Sequence, residues 1–254
     1  MQVSLITCTK NSGEVMEDCC TSIFSQTHKN IEHIIIDNNS LDNTLSIAKG
    51  SKIMCQKIFQ QKSIGIYGAL NEGLKFAGGD IIGVLHSDDQ LYNSKVIETI
   101  EKIFSTQNID ILFANLLYLS KKDTNKIIRK WKSNLKEGIQ SNFFLKNKIN
   151  NGWMPPHTTI FVKKNILEKI GYYDEGFKIS SDYDYIIKIF RENNFKIFFL
   201  NEFIVKMKTG GASNKNIKNI LTKVIEDYQI MKKYKFKILR ALLFKNFSKI
   251  SQFF

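Results

Sequence analysis

The stretch KSIGIYGALNEGLKFAGGDIIGVLHSDD, residues 62–89, combines a helix pattern, a strand pattern and a pair of carboxylates. Gly65 opens the helix pattern, and Gly78 and Gly79 end it directly before an apolar strand. That strand leads straight into Asp88 and Asp89. A helix that returns the chain to a strand is typical of a βαβ unit, so the stretch predicts an α/β fold.

The alternation of strand and helix patterns continues through the first half of the chain. Short β-branched runs predict strands at residues 3–7, 31–37, 53–59, 80–86 and 109–119. Helix patterns lie between them at residues 16–25, 44–49, 67–76 and 94–104. The run IEHIIID is apolar on both faces, as a central strand should be. We therefore predict a mostly parallel, Rossmann-like central sheet flanked by helices, which binds ligands at the carboxyl ends of its strands.

The second half of the chain has a less regular pattern. Residues 120–152 are polar and contain one predicted helix near 136–147. A strand, a helix that stops at Gly171, a loop and a helix over 182–192 follow. The Gly-Gly-Ala-Ser segment at 210–213 fits either a phosphate-contacting loop or a plain connection.

Composition narrows the class of protein. The chain has 254 residues, of which 43% are hydrophobic and 24% charged, as in an ordinary globular protein. The net charge of +13 favours an anionic partner. No nucleic-acid-binding module accompanies these basic residues, so a basic nucleic-acid-binding protein is the weaker alternative. The four cysteines form neither a zinc motif nor a disulfide framework, and no signal peptide or membrane span is seen, so we expect a cytoplasmic protein.

The adjacent carboxylates Asp88 and Asp89 are candidate metal ligands. Two such groups repel each other unless a cation or turn amides compensate. A hard ion such as Mg²⁺ or Mn²⁺ does so with one or two carboxylates and the oxygens of a diphosphate. The alternative interpretation is local, since an aspartate here could cap the helix that follows.

The segment DNNSLDNT directly follows the IEHIII strand. Asp37 at the strand end, with small polar side chains behind it, fits a contact to a ribose or to a base edge. The alternative is a simple turn into a helix that Ser40 or Asp42 caps.

The segment ISSDYDYIIKIF places Asp182 and Asp184 at the start of a helix. A carboxylate there can act as a general base towards an attacking hydroxyl, and Asp182 is the candidate. Its neighbour Asp184 is expected to support the helix locally. His157 follows two prolines, and a lone histidine is more often a structural hydrogen-bonding residue than a ligand.

The order of these motifs resembles that of the family 2 glycosyltransferases, which have the GT-A fold. The resemblance is carried by SLITCTKN, by IIIDNNSLDNT, by GIYGALNEGLKFAGGDIIGVLHSDD and by PHTTIFVKKNILEKIGYYDEGFKISSDYDYIIKI. It is nearest to the bacterial enzymes that build capsule, O-antigen and colanic-acid-like polysaccharides. It implies a GT-A domain over residues 1–213, with a nucleotide-sugar-binding half (1–119) and an acceptor-side half (120–213), and a C-terminal helical extension over 214–254.

The resemblance also implies a reaction: inverting transfer from a nucleotide-diphosphate sugar, UDP-linked, to a hydroxyl of a saccharide acceptor, with Mn²⁺ or Mg²⁺ as cofactor. In this assignment Asp182 is the catalytic base, and Asp88 and Asp89 hold the metal. The donor contacts are assigned to Thr7, Asp37, Asn39, Asn71, Ser87 and Asp88, and the acceptor side to His157 and Trp153.

Three positions depart from the family pattern. Asn38 stands where a second acidic residue is frequent, and Ser63 and Gly68 stand where the subgroup usually has Asp. The change at Ser63 affects an expected base contact, so we expect a donor preference different from that of the subgroup. A sugar-nucleotidyltransferase is a further alternative, but CTKNSGE is a poor version of the basic, glycine-rich loop that such an enzyme needs.

The C-terminal segment, residues 232–254, carries seven Lys or Arg residues and no acidic residue. Leu239, Leu243, Phe247 and Ile250 recur at helical spacing, which predicts a basic amphipathic helix. We expect this helix to rest on the inner face of the cytoplasmic membrane, where it would reach a lipid-linked saccharide acceptor. The alternative is that its apolar face packs on the same chain or on a second subunit of a homodimer.

Overall fold

The computed structural model describes residues 1–124, 126–191, 195–209 and 217–236. These residues form ten strands and eight α-helices. The strands are β1 (Val3–Thr9), β2 (Ile31–Asp37), β3 (Cys55–Gln60), β4 (Ile81–Val84), β5 (Asp89–Leu91), β6 (Ile111–Leu119), β7 (Ile127–Trp131), β8 (Gly138–Gln140), β9 (Phe161–Lys163) and β10 (Ile197–Lys208). The helices are α1 (Met16–Phe24), α2 (Thr44–Gly50), α3 (Gly65–Phe76), α4 (Val96–Gln107), α5 (Asn142–Asn150), α6 (Lys164–Ile170), α7 (Ser181–Arg191) and α8 (Ile217–Lys233).

The strands form one mixed sheet in the order β3-β2-β1-β4-β9-β6-β10-β5, with β7 beside β6 and β8 beside β10. The pairs β3-β2, β2-β1, β1-β4 and β6-β10 are parallel. The other five pairs of the described residues are antiparallel. The predicted α/β fold with a central sheet is therefore confirmed. The long pairs among β1–β4 and between β6 and β10 are parallel, as expected, and the short strands β5, β7, β8 and β9 add antiparallel pairs to the same sheet.

Helices cover both faces of the sheet, which explains the continuous apolar runs of its central strands. All seven residues of β2 are buried. Along β1, Ile6 and Cys8 enter the core cluster that α3 and α7 cover. Val3 and Leu5 enter the cluster that α1 and α4 cover on the other side. Successive side chains of β1 thus lie on opposite faces of the sheet.

The predicted boundaries hold closely in the first half, where the expected strand at 31–37 is β2 and the expected helix at 16–25 is α1. The helix expected near 136–147 is partly wrong. Residues 138–140 pair with β10 as the short strand β8. The helix begins after Ser141, whose side chain accepts a hydrogen bond from the backbone N–H of Phe144 and so caps it. A capping serine thus sets the boundary that the polar composition did not reveal.

The C-terminal helix α8 packs against α7, and its residues Ile230 and Met231 are fully buried in the main core. The predicted extension over 214–254 therefore begins with a helix that belongs to the domain. Most of the predicted amphipathic segment (237–254) and the Gly-Gly-Ala-Ser segment (210–213) lie outside the described residues. Within the part of the chain that the structure describes, no helix combines the length and apolar character needed to cross a bilayer.

Candidate active site

Polar residues from neighbouring strands meet at one edge of the sheet. Thr9 at the end of β1 lies beside Asp37 at the end of β2. The Asp37 carboxylate accepts hydrogen bonds from the Ser40 backbone N–H at 2.9 Å and from the Ser40 hydroxyl at 2.6 Å. Asn39 is exposed, with a positive φ of 51°, and accepts a hydrogen bond from the Gln60 side chain. These are the contacts of the turn interpretation, and the predicted donor contacts of Asp37 and Asn39 stay predictions.

Thr7 has partners inside the protein, and its predicted donor contact stays a prediction. Thr7 is fully buried, its hydroxyl donates to the Leu85 carbonyl at 2.7 Å, and it lies 2.9 Å from His33 Nε2. Both contacts are internal to the sheet. Two residues later, the buried Thr9 hydroxyl has no hydrogen-bond partner among the described residues. Thr9 is therefore the β1 residue whose polar group is available at the sheet edge, and its position at the strand exit was the signal for it.

The Ser-Asp-Asp motif forms a tight turn between β4 and β5, closed by a hydrogen bond from the Asp89 N–H to the His86 carbonyl at 3.0 Å. Helix α4 begins later, at Val96, after Lys95. The helix-capping alternative for Asp88 and Asp89 is therefore wrong. The Ser87 hydroxyl lies 3.0 Å from the Ser12 hydroxyl, so the turn contacts the loop that follows β1.

The two carboxylates of the motif have different environments. Asp88 is partly exposed. Asp89 is fully buried in β5, opposite Met207 of β10, and neither of its carboxylate oxygens has a hydrogen-bond partner among the described residues. Burial, together with the charge of Asp88, raises the pKa of the Asp89 carboxyl well above its usual value.

This arrangement fits a divalent cation. A buried carboxylate with two unsatisfied oxygens is costly unless it is protonated or bound to a cation, and Asp88 supplies a second oxygen ligand beside it. Across residues 1–124, 126–191, 195–209 and 217–236, no group of three or more His, Cys, Asp or Glu side chains could hold a metal ion. A metal here would therefore take its remaining ligands from water and from a bound phosphate.

Asp182 lies in the first turn of α7 and faces residues from three other segments. The Tyr67 hydroxyl from α3 donates to the Ile179 carbonyl at 2.6 Å and lies 3.4 Å from Asp182 Oδ1. The same carboxylate oxygen accepts the Tyr183 N–H at 2.8 Å. Its charge also opposes the effect of burial on the pKa values of His86 and His157.

His86 and His157 approach each other next to this carboxylate, with ring centroids 6.4 Å apart. His157 Nε2 lies 2.6 Å from the Tyr173 hydroxyl. Burial lowers the pKa of His157 to about 4, so its ring is neutral at neutral pH. His86 Nδ1 is buried without a hydrogen-bond partner in the described part of the chain. Sequence reasoning missed His86, although it lies one residue before the Ser-Asp-Asp motif.

The charge of Asp88 acts on His86 as well, which relates the metal motif to the Asp182 region. Asp88, His86, His157 and Asp182 thus form one cluster of titratable groups drawn from the β4–β5 turn, the segment before β9 and the start of α7. Such clusters are where acid–base and metal chemistry is found in enzymes.

Two other predicted contact residues have structural partners. The Asn71 side chain donates to the Tyr173 carbonyl at 3.0 Å and to Glu175 at 2.8 Å, and accepts the Tyr173 N–H at 2.9 Å. Asn71 is buried, its amide is engaged on both sides, and it links α3 to the loop before α7. Its assignment to donor binding stays a prediction. Trp153 packs edge-on against Phe113 and Phe190 in the core, so its contacts do not support an acceptor role.

At the start of α7 we expected Asp182 to act as a base and Asp184 to support the helix, and the structure agrees for Asp184. Asp184 is fully buried and pairs with Lys233 at 2.8 Å and with Lys188 at 3.2 Å. Asp182 is partly exposed and forms no ion pair within the described part of the chain. Asp184 therefore supports the helix, and Asp182 is the carboxylate that a ligand can reach.

Comparison with protein families gives a match over most of the chain. Residues 4–177 match the model of the family described as glycosyl transferase family 2. An uncharacterized glycosyltransferase from Rickettsia typhi is 28% identical over 227 residues, which are 84% of this chain and 66% of that protein. The chain thus spans just under two thirds of the length of this relative.

Comparison with solved structures supports the fold. The crystal structure of S. aureus TarS 1-349 in complex with UDP-GlcNAc matches with a TM-score of 0.69 at 20% identity, over 84% of this chain and 60% of that one. The mannosyltransferase PcManGT from Pyrobaculum calidifontis, in complex with GDP-Man and Mn²⁺, matches with a TM-score of 0.64 at 14% identity, over 92% of this chain and 64% of that one. At these identities the likeness establishes the GT-A fold and nothing finer.

Proposed function

The chain belongs to glycosyl transferase family 2, and on that premise we propose that it transfers a sugar from a nucleotide-diphosphate sugar to a hydroxyl of a saccharide acceptor, with inversion at the anomeric carbon. The observation that carries this proposal is the position of Asp182. A partly exposed carboxylate at the start of α7 shares its surroundings with His86 and with the turn that bears Asp88 and Asp89. One end of the site thus suits a diphosphate and the other a proton transfer.

The donor is a UDP-sugar that lies over the strand exits of β1 and β2. The unpartnered Thr9 hydroxyl and the Asp37 turn are available there to a nucleoside, and Ser12 and Ser87 line the path towards the diphosphate. The complex of TarS with UDP-GlcNAc supports a uridine nucleotide, because it shows that a protein of this fold binds one. Ser63 and Gly68 replace Asp residues of the subgroup that the sequence resembles. We therefore expect the contact to the base or to the sugar of the donor to differ from that in the subgroup.

Asp88 and Asp89 would hold Mg²⁺ or Mn²⁺ together with the phosphate oxygens of the donor. When bound, such a cation supplies positive charge that offsets the charge developing on the departing nucleotide diphosphate. Asp88 is the ligand that a phosphate-bound cation can approach from the cleft, and Asp89 lies behind it with two oxygens that lack other partners. The Mn²⁺ in the PcManGT complex is compatible with this assignment.

Asp182 acts as the general base that takes the proton of the acceptor hydroxyl as its oxygen attacks the anomeric carbon. The C–O bond to the diphosphate breaks on the opposite face, which inverts the configuration. Within the described residues, the Tyr183 N–H and the Tyr67 hydroxyl both contact Oδ1 of Asp182, so Oδ2 is the oxygen assigned to the acceptor proton. His157 is neutral and hydrogen-bonded to Tyr173, and it lies on the acceptor side without competing for the proton.

The acceptor is a lipid-linked saccharide of cell-surface polysaccharide biosynthesis, of the capsule, O-antigen or colanic-acid type, and the protein reaches it from the cytoplasmic side. Support comes from α8, where five large apolar side chains are 46–58% exposed: Ile220, Leu221, Val224, Ile225 and Tyr228. The basic segment 237–254 follows this helix in the sequence. Anionic lipid attracts each nearby basic side chain by about 1 kcal/mol, and apolar side chains add burial in the interface.

A donor screen tests the reaction. The purified protein is incubated with UDP-, GDP- and dTDP-sugars with Mn²⁺, Mg²⁺ or EDTA, and the released nucleotide is measured. We expect UDP release from one UDP-sugar that depends on the metal. Release from a GDP- or dTDP-sugar alone would contradict the donor assignment, and full activity in EDTA would contradict the metal.

The membrane proposal has its own test. Full-length protein should sediment with phosphatidylglycerol vesicles at low salt, and a chain truncated after Phe236 should not. The truncation is placed there because Lys233 pairs with Asp184 and has to be retained. If the full-length chain does not sediment with such vesicles, the membrane proposal is wrong and the acceptor is reached without lipid contact.

A further inference from the structure

We propose that helix α8 is part of the catalytic arrangement and that Glu226 is a positioning residue for Asp182. This inference rests on the proposed role of Asp182 as the base. Glu226 lies 44 residues after Asp182. It is outside the family match, which ends at residue 177. Nothing in the sequence motifs points to it.

The Glu226 carboxylate holds the backbone of the segment directly before α7. It accepts hydrogen bonds from the N–H groups of Lys178 at 2.8 Å, Ile179 at 2.9 Å and Ser180 at 2.8 Å. Glu226 is only 7% exposed. Charge-assisted hydrogen bonds from consecutive N–H groups fix both the orientation and the position of that backbone segment.

The same segment carries the contacts that place Asp182. The Ile179 carbonyl accepts the Tyr67 hydroxyl, and that hydroxyl lies 3.4 Å from Asp182 Oδ1. The Ser180 carbonyl accepts the N–H of Tyr183 at 3.0 Å and of Asp184 at 3.2 Å, which begins the helix. Glu226 thus holds the N–H side of a segment whose carbonyl side orients the base.

A second contact from α8 holds the residue two positions after Asp182. Lys233 Nζ lies 2.8 Å from Asp184 Oδ1 and 3.2 Å from Asp174 Oδ2. Asp184 is fully buried two residues after Asp182, in the same helical turn. Glu226 and Lys233 therefore bracket the base from one helix, before and after it in the sequence.

The glutamine variant separates this role from side-chain volume. Glutamine has one acceptor oxygen and an NH₂ group, and that group would point its hydrogens at backbone N–H donors. At least one of the three hydrogen bonds is lost, and the segment has to shift. A misplacement of about 1 Å costs as much as 10²-fold in rate, so Glu226→Gln is expected to lower kcat by about 10- to 100-fold.

The chain provides a matched control far from Asp182. Glu32 is 2% exposed and also accepts several hydrogen bonds, among them the Gly78 N–H at 2.7 Å and the Ser4 hydroxyl at 2.5 Å. It lies at the start of β2, whereas the proposed site is at the strand ends. Glu32→Gln therefore removes a comparable buried carboxylate without touching the segment before α7.

The experiment compares wild type, Glu226→Gln, Glu32→Gln, Asp182→Asn and the double variant Asp182→Asn/Glu226→Gln. Amide hydrogen exchange of residues 178–182, UDP binding by calorimetry, and UDP release from the UDP-sugar found in the donor screen are measured. We expect Glu226→Gln alone to speed exchange at 178–180 and to lower kcat, with UDP affinity unchanged. In the Asp182→Asn background it should cause no further loss of kcat, which a merely structural role would not produce.

Three results would overturn the inference: a normal kcat for Glu226→Gln with faster exchange, an equal loss of kcat in Glu32→Gln, or a full additional loss in the double variant. Full activity of Asp182→Asn is a different result, because it refutes the proposed base itself. If Glu226→Gln does not fold, Lys233→Met removes only the second anchor, at a side chain that is 43% exposed. It should lower kcat several-fold at unchanged UDP affinity, and an unchanged kcat contradicts the proposal.

Discussion

Gly68 on α3 lies directly against Ser63: a Cβ atom added to Gly68 would be 2.6 Å from the Ser63 Cβ and 2.5 Å from its hydroxyl oxygen. At both positions the sequence resemblance leads us to expect Asp, and this chain has Ser and Gly instead. In space they are one packing contact. The absence of a side chain at Gly68 is what leaves room for Ser63, whose N–H donates to Glu72 at 2.6 Å.

The first prediction follows from this contact. Gly68→Ala should destabilise the protein by about 1–3 kcal/mol, because the new methyl group overlaps the Ser63 side chain. Both Cβ atoms are bonded directly to the backbone, so the overlap can be relieved only by a shift of the backbone. Replacing glycine by alanine inside a helix would otherwise stabilise by up to about 1 kcal/mol. Urea unfolding measures the difference.

The control is the double variant Ser63→Gly/Gly68→Ala, which removes the obstructing side chain. It should be more stable than Gly68→Ala alone. If Gly68→Ala is as stable as wild type, the backbone around Ser63 can shift without cost. The contact between Gly68 and Ser63 would then not limit the size of the side chains at these two positions.

The fold was predictable where a local pattern decides the structure. The apolar run of β2 and the glycines that flank α3 determine strand and helix without help from distant residues. The sheet edge as the location of the site followed in the same way, since the carboxyl ends of parallel strands share one edge. The choice of one threonine over another on the same strand was not determined by the local pattern. Thr7 and Thr9 are equivalent in the sequence, but they differ by one pleat repeat in how far they extend beyond the core.

Other features depend on contacts that no local pattern records. Asn71 looks like a polar residue on a helix near the site, yet it hydrogen-bonds residues 102 and 104 positions away. Glu226 and Lys233 lie after the last recognisable motif and act on the segment around Asp182 through long-range packing. The antiparallel pairing of β9 between β4 and β6 similarly requires the tertiary structure.

The second prediction concerns the unpartnered carboxylate of Asp89. In EDTA at pH 7, Asp89→Asn should be more stable than wild type by at least about 1 kcal/mol, because it removes a buried carboxyl group that lacks hydrogen bonds and would have to ionise or stay protonated. With Mn²⁺ and UDP the order should reverse, since wild type alone gains the bound cation. Thermal unfolding with and without metal measures both effects.

Asp88→Asn is the companion variant. It should lose the stabilisation by Mn²⁺ and UDP without gaining stability in EDTA, since Asp88 is partly exposed. If Asp89→Asn responds to Mn²⁺ and UDP as wild type does, Asp89 is not a metal ligand, and Asp88 alone carries the assignment.

The third prediction is an acid sensitivity caused by His33. Burial lowers the pKa of His33 to about 3, while the unfolded chain keeps an ordinary value near 6.5. Below pH 6.5 the unfolded state therefore binds a proton that the folded state does not. Well above pH 6.5 His33 has little effect on stability, and between about pH 6 and 3 it costs up to about 1.4 kcal/mol of unfolding free energy for each pH unit.

His33→Gln isolates this contribution. At pH 7 the variant should be less stable than wild type, because Thr7 loses its contact with the ring. Between pH 6.5 and 4.5 wild type should lose roughly 2 kcal/mol more unfolding free energy than the variant does. Parallel pH dependences of unfolding for the two proteins would show that His33 is protonated without cost in the folded state.

The fourth prediction distinguishes the two carboxylates at the start of α7. Asp182→Asn should keep the fold and the affinity for UDP, since asparagine retains the size of the side chain and can still accept the Tyr183 N–H. It should lose sugar transfer by about 10²- to 10⁴-fold, because the amide cannot take a proton from the acceptor. Asp184→Asn should instead lower the unfolding free energy by about 1.5–3 kcal/mol, since it removes a fully buried charge that pairs with Lys188 and accepts a hydrogen bond from Lys233. At temperatures where it is folded it should retain far more transfer activity than Asp182→Asn. The opposite outcome, normal transfer by Asp182→Asn and none by folded Asp184→Asn, would move the base to the buried residue. It would also require Lys233 to release Asp184 before the acceptor hydroxyl could reach it, because the ammonium group now lies 2.8 Å from the oxygen that would take the proton.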